Sequence, residues 1–331
     1  MNQLIKKNRK FLNEDIIINK YLKKLCFSKK TTFNFENDAG ILKVPKNKEI
    51  VVSQDTLVEK IHFFSNDSPE SIALKSIRTN LSDLTSMGAR PYAYTMSLSL
   101  NNNIDKLWIN KFSNSLYREQ KKYDFYLLGG DIVKSKYISV SITIFGIVNK
   151  GNYISRNGAN LRDDIWVTGN IGDSFIGYKI LKNKLSIKNI KIKNYFLNSY
   201  FYPKPPVVLA IKLSKLMTSA IDISDGFLSD FEKLILNNDK GAFINHHLIP
   251  FSQNTKNLLI KGAISIVDLL TAGDDYQLIF TSNMLNRNKI IKLSKNCNCK
   301  TTRIGEINNT KILDFNGYNF KETKKGFTHI I

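Results

Sequence analysis

Ile50-Val51-Val52-Ser53-Gln54-Asp55 opens the part of the chain from which the fold is read, a β-branched run that closes on a carboxylate. Such residues fit a pleated, half-buried surface, so the run is expected to be a short strand ending at Asp55. A helix is expected to follow over residues 69–87. Pro69 suits its first turn, and Ile72, Leu74, Ile77, Leu81 and Leu84 supply an apolar stripe. Tyr94 to Leu100 and Ile138 to Val148 alternate as strands do, with a helix between them over Ile104 to Tyr123. Tyr126-Leu127-Leu128 reads as a strand leading into Gly129-Gly130-Asp131.

Upstream, residues 1–30 read as a basic amphipathic lead-in, with Leu12, Ile16, Ile17, Tyr21 and Leu25 at helical spacing. A second half begins near Gly151. Asp164 to Thr168 is a strand, and Gly169 to Gly172 turns into a helix reaching about Leu181. Residues 183–200, rich in Lys and Asn, read as a polar connection, and Pro203, Pro205 and Pro206 punctuate a loop before a helix from Val207 to Met217. Ala220 to Ile223 is a strand running into Ser224-Asp225-Gly226, residues 227–236 are helical, and further strands fall near 242–245, 277–281, 303–307 and 311–315. This alternation, split near residue 150, predicts an α/β (α+β) chain of two domains, 1–150 and 151–331.

Composition narrows the function. No run of eighteen apolar residues exists, so no transmembrane helix is expected. The N-terminus lacks the apolar core of a secretory signal. Cys26, Cys297 and Cys299 are too few for a disulfide scaffold, which points to reduced thiols and a cytoplasmic setting. The net charge of +21 raises nucleic-acid binding. The lysines are dispersed among Asn and Ile, however, and no RNP-like motif, zinc finger or basic zipper is present, so nucleic acid is not the expected partner.

Carboxylate-bearing turns carry the chemistry: Glu36-Asn37-Asp38-Ala39-Gly40, Ser53-Gln54-Asp55, Ser82-Asp83-Leu84, Gly129-Gly130-Asp131 and Asp222-Ile223-Ser224-Asp225-Gly226. Any one of these aspartates taken alone reads as a turn residue or helix cap. As a set they suit Mg²⁺, which takes hard oxygen ligands, together with a nucleotide whose phosphates the metal bridges. Asp83 sits in a mostly apolar helix, where a carboxylate needs a partner or an ion. There is no GxxxxGK[ST] loop and no GxGxxG fingerprint. The glycines at 169–172 read either as a phosphate loop or as a plain strand-to-helix turn.

Taken in order, NDAGIL at 37–42, VVSQDTLVEKIHF at 51–63, NLSDLTSMGARP at 80–91, LLGGD at 127–131, ISRNGA at 154–159, VTGNIGDS at 167–174, AIDISDGFLSD at 220–230, AGDDYQLIF at 272–280 and IGEI at 304–307 resemble the thiamine-monophosphate kinase family, within the superfamily of aminoimidazole ribonucleotide synthetase. The resemblance implies a homodimer joined through N-terminal halves that build a shared barrel, with ATP as co-substrate in the interdomain cleft and thiamine monophosphate as acceptor. It implies that Asp38, Ser53, Gln54, Asp55, Asp83, Asp131, Asp222 and Asp225 hold several Mg²⁺ ions. Gly130, Asp131, Arg156 and Ser224 would contact ATP, and His62, Asp274 and Phe327 the thiamine monophosphate. No dedicated catalytic base is expected. Alternatives are another ATP-using synthetase of the superfamily, or a non-catalytic nucleotide- or nucleic-acid-binding descendant. Selenophosphate synthetase-like members need a reactive Cys in a glycine-rich segment, and Cys26 has no glycine near it.

Overall fold

The computed structural model describes residues 12–236 and 239–316. They fall into two compact units, one built from residues up to 80 together with 91–147, the other from 81–90 together with the chain after 148. The division is therefore not a single cut near residue 150.

In the first unit the lead-in is helical but irregular. A short α-helix, α1 (Glu14–Ile17), passes into a π-helical turn at Ile18–Leu22 and a 3-10 turn at Lys23–Cys26. Then come β1 (Lys48–Val58), α2 (Pro69–Ser86), whose last turns from Leu81 belong to the second unit, β2 (Arg90–Leu100), α3 (Lys106–Tyr123), β3 (Tyr126–Lys134) and β4 (Ser139–Asn149). The four strands form one sheet in the order β1-β4-β2-β3. β2 and β3 are parallel, joined through α3, with a register shift between Tyr94 and Thr95. Val140, Ile142 and Ile144 on β4 are fully buried, as are Ile77 and Leu81 on α2 and Phe112 and Leu116 on α3. The opposite sheet face is covered only in part among the described residues: Phe145 on β4 packs with Tyr92, Tyr126, Phe27 and Leu42, whereas Val52, Gln54 and Thr56 on the edge strand β1 are exposed, and Thr56 Oγ1 lies 2.8 Å from Ser141 Oγ on β4.

The second unit contains β5 (Asp164–Thr168), α4 (Asp173–Leu181), α5 (Ile190–Phe201), α6 (Val207–Leu213), β6 (Ser219–Asp222), α7 (Phe227–Leu236), β7 (Gly241–Ile244), α8 (Gln253–Ile260), α9 (Ile266–Thr271), β8 (Leu278–Ser282), α10 (Arg287–Asn296), β9 (Thr301–Asn308) and β10 (Leu313–Asp314). Its six strands run β10-β7-β9-β5-β8-β6, antiparallel except for the β10–β7 pair. Every residue of β5 is buried because both sheet faces are covered. Ile165 and Val167 enter a core with Ile176, Phe196, Phe231 and Leu269, whereas Trp166 packs on the other side with Phe280, Leu209, Leu213 and Ile290. Truncating a side chain such as Phe231 to Ala in this close-packed core costs about 3–5 kcal/mol. Asp164, 1% exposed, is compensated by Arg287 and Arg303, which hold its carboxyl below the usual carboxylate range against the opposing effect of burial.

Two sequence readings need correction. β1 and β3 run past their carboxylates, so Asp55 and Asp131 stand within strands, not at strand ends. The stretch 183–200, read as a polar connection, contains α5. Ile192, Phe196 and Tyr200 recur every fourth residue, and Asn189 caps the helix through Lys191 and Ile192. The many lysines and asparagines between them had masked that stripe.

Candidate active site

The first unit places three of the sequence-selected residues on one cavity. Asp38, Gly130 and Asp131 line a space of about 150 Å³ with Asn37, Gly129 and, from the lead-in, Ile18, Leu22 and Phe35. Glycine is required at 130 because a Cβ there would overlap the carbonyl of Met96 on the neighbouring strand. A Cβ at Gly129 would meet nothing within 4 Å. The two glycines thus differ: one lets the strands pair, the other leaves backbone open towards the cavity. Gly40 seats the turn bearing Asp38 against β3, since a Cβ there would stand 2.8 Å from the carbonyl oxygen of Leu128.

On β1 the pleat sets Ser53 and Asp55 on one face and Gln54 on the other. Gln54 is exposed and its side chain does not join those of Ser53 and Asp55. Asp55 accepts from the Thr79 hydroxyl of α2, but burial is the larger effect and raises its carboxyl above the ordinary range. His62 sits on a tight turn closing on Phe63, where its Nδ1 accepts from the Val58 N–H at 3.0 Å. In a neutral ring this puts the proton on Nε2. The buried Lys75 donates to the His62 carbonyl at 3.3 Å.

In the second unit Asp222 ends β6, 4% exposed, and accepts from the Ser82 hydroxyl at 2.8 Å. Ser82 is the neighbour of Asp83 on the last turns of α2, so the two acidic motifs meet here. The loop after β6 is held by Asp230, whose Oδ2 accepts from the backbone N–H groups of Ser224, Asp225 and Gly226 at 3.0, 2.9 and 3.2 Å. Asp274 donates its backbone N–H to the Ser224 carbonyl at 2.9 Å, and its Oδ1 accepts from Tyr276. Its φ of 70° is left-handed, a conformation that short polar Asp tolerates better than most residues. Arg156 is exposed on the loop after β4. A Cβ at Gly158 in that loop would overlap the Thr218 carbonyl, and the Ile154 N–H donates to the carbonyl of Met87. Phe327 lies outside the described residues.

The glycine turn at 169–172 is now explained. The N–H of Gly172, at the start of α4, donates to both oxygens of the buried Asp275, at 3.0 and 2.9 Å. An internal carboxylate therefore occupies the position a phosphate would take, and the turn is a strand-to-helix connection. Burial raises the Asp275 carboxyl well above its ordinary value, with the Gly172 N–H opposing and Asp173 and Asp274 adding to the rise. Asp173 is itself raised by burial, although Tyr195, Ser252 and Thr255 all donate to it.

Ser82, Thr79, Asp230 and Asp275 were not selected from the sequence as functional. Only proximity to a named motif (Ser82 before Asp83, Asp275 after Asp274) could have suggested them. Among the described residues no group of three or more His, Cys, Asp or Glu side chains stands as a metal cage. Mg²⁺ is commonly held by one or two carboxylates, retained waters and substrate phosphates. Asp38 and Asp131 on one cavity fit that requirement.

Residues 36–148 match the family model described as AIR synthase related protein, N-terminal domain. The thiamine-monophosphate kinase of Buchnera aphidicola subsp. Schizaphis graminum is 35% identical over 328 residues, 96% of this chain and 99% of the relative. Thiamine-monophosphate kinase from Stenotrophomonas maltophilia K279a, a solved structure, has a TM-score of 0.78 at 30% identity, covering 85% of this chain and 90% of its own. The solved structure of AaThiL complexed with AMPPCP and TMP has a TM-score of 0.77 at 25% identity, covering 93% of this chain and 94% of its own. With that identity sustained over nearly the full length of both chains, this chain belongs to the thiamine-monophosphate kinase family.

Proposed function

We propose that the chain transfers the γ-phosphate of ATP to thiamine monophosphate, releasing ADP and thiamine diphosphate. The observation that carries this reading is the cavity lined by Asp38, Gly130 and Asp131, with apolar Ile18, Leu22 and Phe35 on its wall. Apolar side chains beside open backbone and carboxylates suit a ligand that is part heterocycle and part metal-bound phosphate. The relatives' names support the acceptor, and the AMPPCP and TMP of the solved AaThiL complex support the substrate pair.

A phosphate monoester has a second pKa of about 6, so the attacking oxygen of thiamine monophosphate is already largely deprotonated at neutral pH. No general base is needed, and the reaction is limited by repulsion between two anions. Mg²⁺, when bound, would supply positive charge that offsets this repulsion. The chain's own part is to hold the groups. Asp38 and Asp131 are proposed to face the metal in the first unit, with Ser53, Asp55 and the Gln54 backbone. Asp83, Asp222 and Asp225 are proposed as ligands in the second. Gly130 and Ser224 would contact ATP through backbone and hydroxyl, and Arg156 would grip phosphate oxygens with its planar, permanently charged fork. His62 and Asp274 are proposed for the thiamine side.

Dimerisation through the first unit is part of the proposal. The exposed face of the edge strand β1, carrying Val52, is the surface it would use. Cys26 is 1% exposed, which counts against a chemistry that needs a reactive thiol there. The test is binding of an ATP analogue with Mg²⁺ to the native chain and to Asp131→Asn. Binding should weaken at least tenfold in a folded variant; equal affinity would remove the cavity from the active site.

A further inference from the structure

Asp225 does not stand alone in the loop after β6. Lys233 Nζ donates to Asp225 Oδ2 at 2.6 Å and to Asp230 Oδ1 at 2.9 Å. The Asp230 side chain is 2% exposed, and its second oxygen is committed to the three loop amides. Asp225 and Lys233 are each about two-fifths exposed, at 38% and 41%. The ammonium is therefore anchored on its buried side and presented to Asp225 on its open side. Lys233 lies two turns into α7, on the same helix face as Asp230. The two carboxylates raise the lysine above its ordinary range in spite of desolvation.

We propose that Lys233 is an internal counter-cation that holds the metal position at Asp225, and that a divalent ion binds Asp225 only by displacing it. The proposal rests on the reading of Asp225 as a metal ligand given above. Displacement is local: the Lys233 side chain turns to solvent while Asp230 keeps the loop amides. It has a functional consequence. Without metal, the charge of Asp225 is already balanced while Asp230 holds the loop amides, so the loop that carries Ser224 is pre-formed before nucleotide and metal arrive.

Mn²⁺ binding, read by water-proton relaxation or calorimetry with a non-hydrolysable ATP analogue present, tests this without turnover. Lys233→Met should tighten Mn²⁺ by about fivefold, the scale of one half-exposed ion pair. Lys233→Arg, which keeps the cation, should bind as the native chain does, and circular dichroism should show both variants folded. In an Asp225→Asn background, Lys233→Met should bring no gain. Unchanged or weaker binding in Lys233→Met overturns displacement. A gain that survives in the Asp225→Asn background overturns it too, because the effect would then be a general loss of positive field. If Asp225→Asn alone leaves Mn²⁺ affinity untouched, the metal role of Asp225 falls and the proposal falls with it, separately from any fault in the role of Lys233.

Discussion

Ser82 donates its hydroxyl to a carboxylate oxygen of Asp222 at 2.8 Å, across 140 residues of sequence. Asp222 is almost fully buried, so this bond supports a charge that water does not reach. Ser82→Ala should lower stability by about 1.5–3 kcal/mol in denaturant melts, the range for a hydrogen bond to a charged partner. Turnover should fall with it, because Asp222 loses the group that orients it. A variant as stable and active as the native chain would mean that the bond is incidental.

Gly129 and Gly130 make opposite predictions although they are adjacent. Gly130→Ala drives a methyl group into the Met96 carbonyl and should destabilise the first unit by about 3 kcal/mol or more. Gly129→Ala faces open space and should fold normally, with any effect confined to ligand affinity. Thermal melts of the two variants decide the matter.

Asp275 gives a pH dependence of definite sign. Its folded pKa is raised by burial, so above the unfolded value of about 3.9 the folded state holds a proton that the unfolded state has lost. The stability it contributes is complete below that value and is lost as pH rises through the folded pKa. Urea melts from pH 4 upward should therefore show a declining component that Asp275→Asn flattens. An unchanged slope in the variant would place the titration elsewhere.

The proposed dimer would use the exposed edge strand β1 of the first sheet. Val52, 56% exposed, shares that strand's exposed face with Gln54 and Thr56. Val52→Asp should shift a dimer towards monomers in sedimentation experiments, since a charge buried in a contact along the β1 edge is not compensated. A native chain that sediments as a monomer would remove the shared-barrel expectation.

Much of this was legible in the residues themselves. The apolar spacing of Ile72, Ile77, Leu81 and Leu84 locates α2 to within a residue, and Asp38 and Asp131, each near glycine in the sequence, share one cavity. Three things were hidden. Strand length past Asp55 and Asp131 depends on pairing partners distant in sequence. The stripe of α5 was diluted by lysine and asparagine. The partners that fix the site (Ser82 on Asp222, Asp230 on the loop amides, Asp275 on Gly172) are single polar residues whose role exists only once the chain is folded. A carboxylate that binds backbone amides and one that binds metal look alike in a sequence; burial and donors separate them.

Phosphorus NMR of the purified protein with Mg²⁺, ATP and thiamine monophosphate tests the central claim most directly. The account predicts that thiamine diphosphate and ADP appear in equal amounts, that chelating the metal stops both, and that Asp83→Asn lowers the rate by orders of magnitude while the fold is kept. ADP accompanied by inorganic phosphate and no thiamine diphosphate, or no reaction from a folded protein, would contradict it.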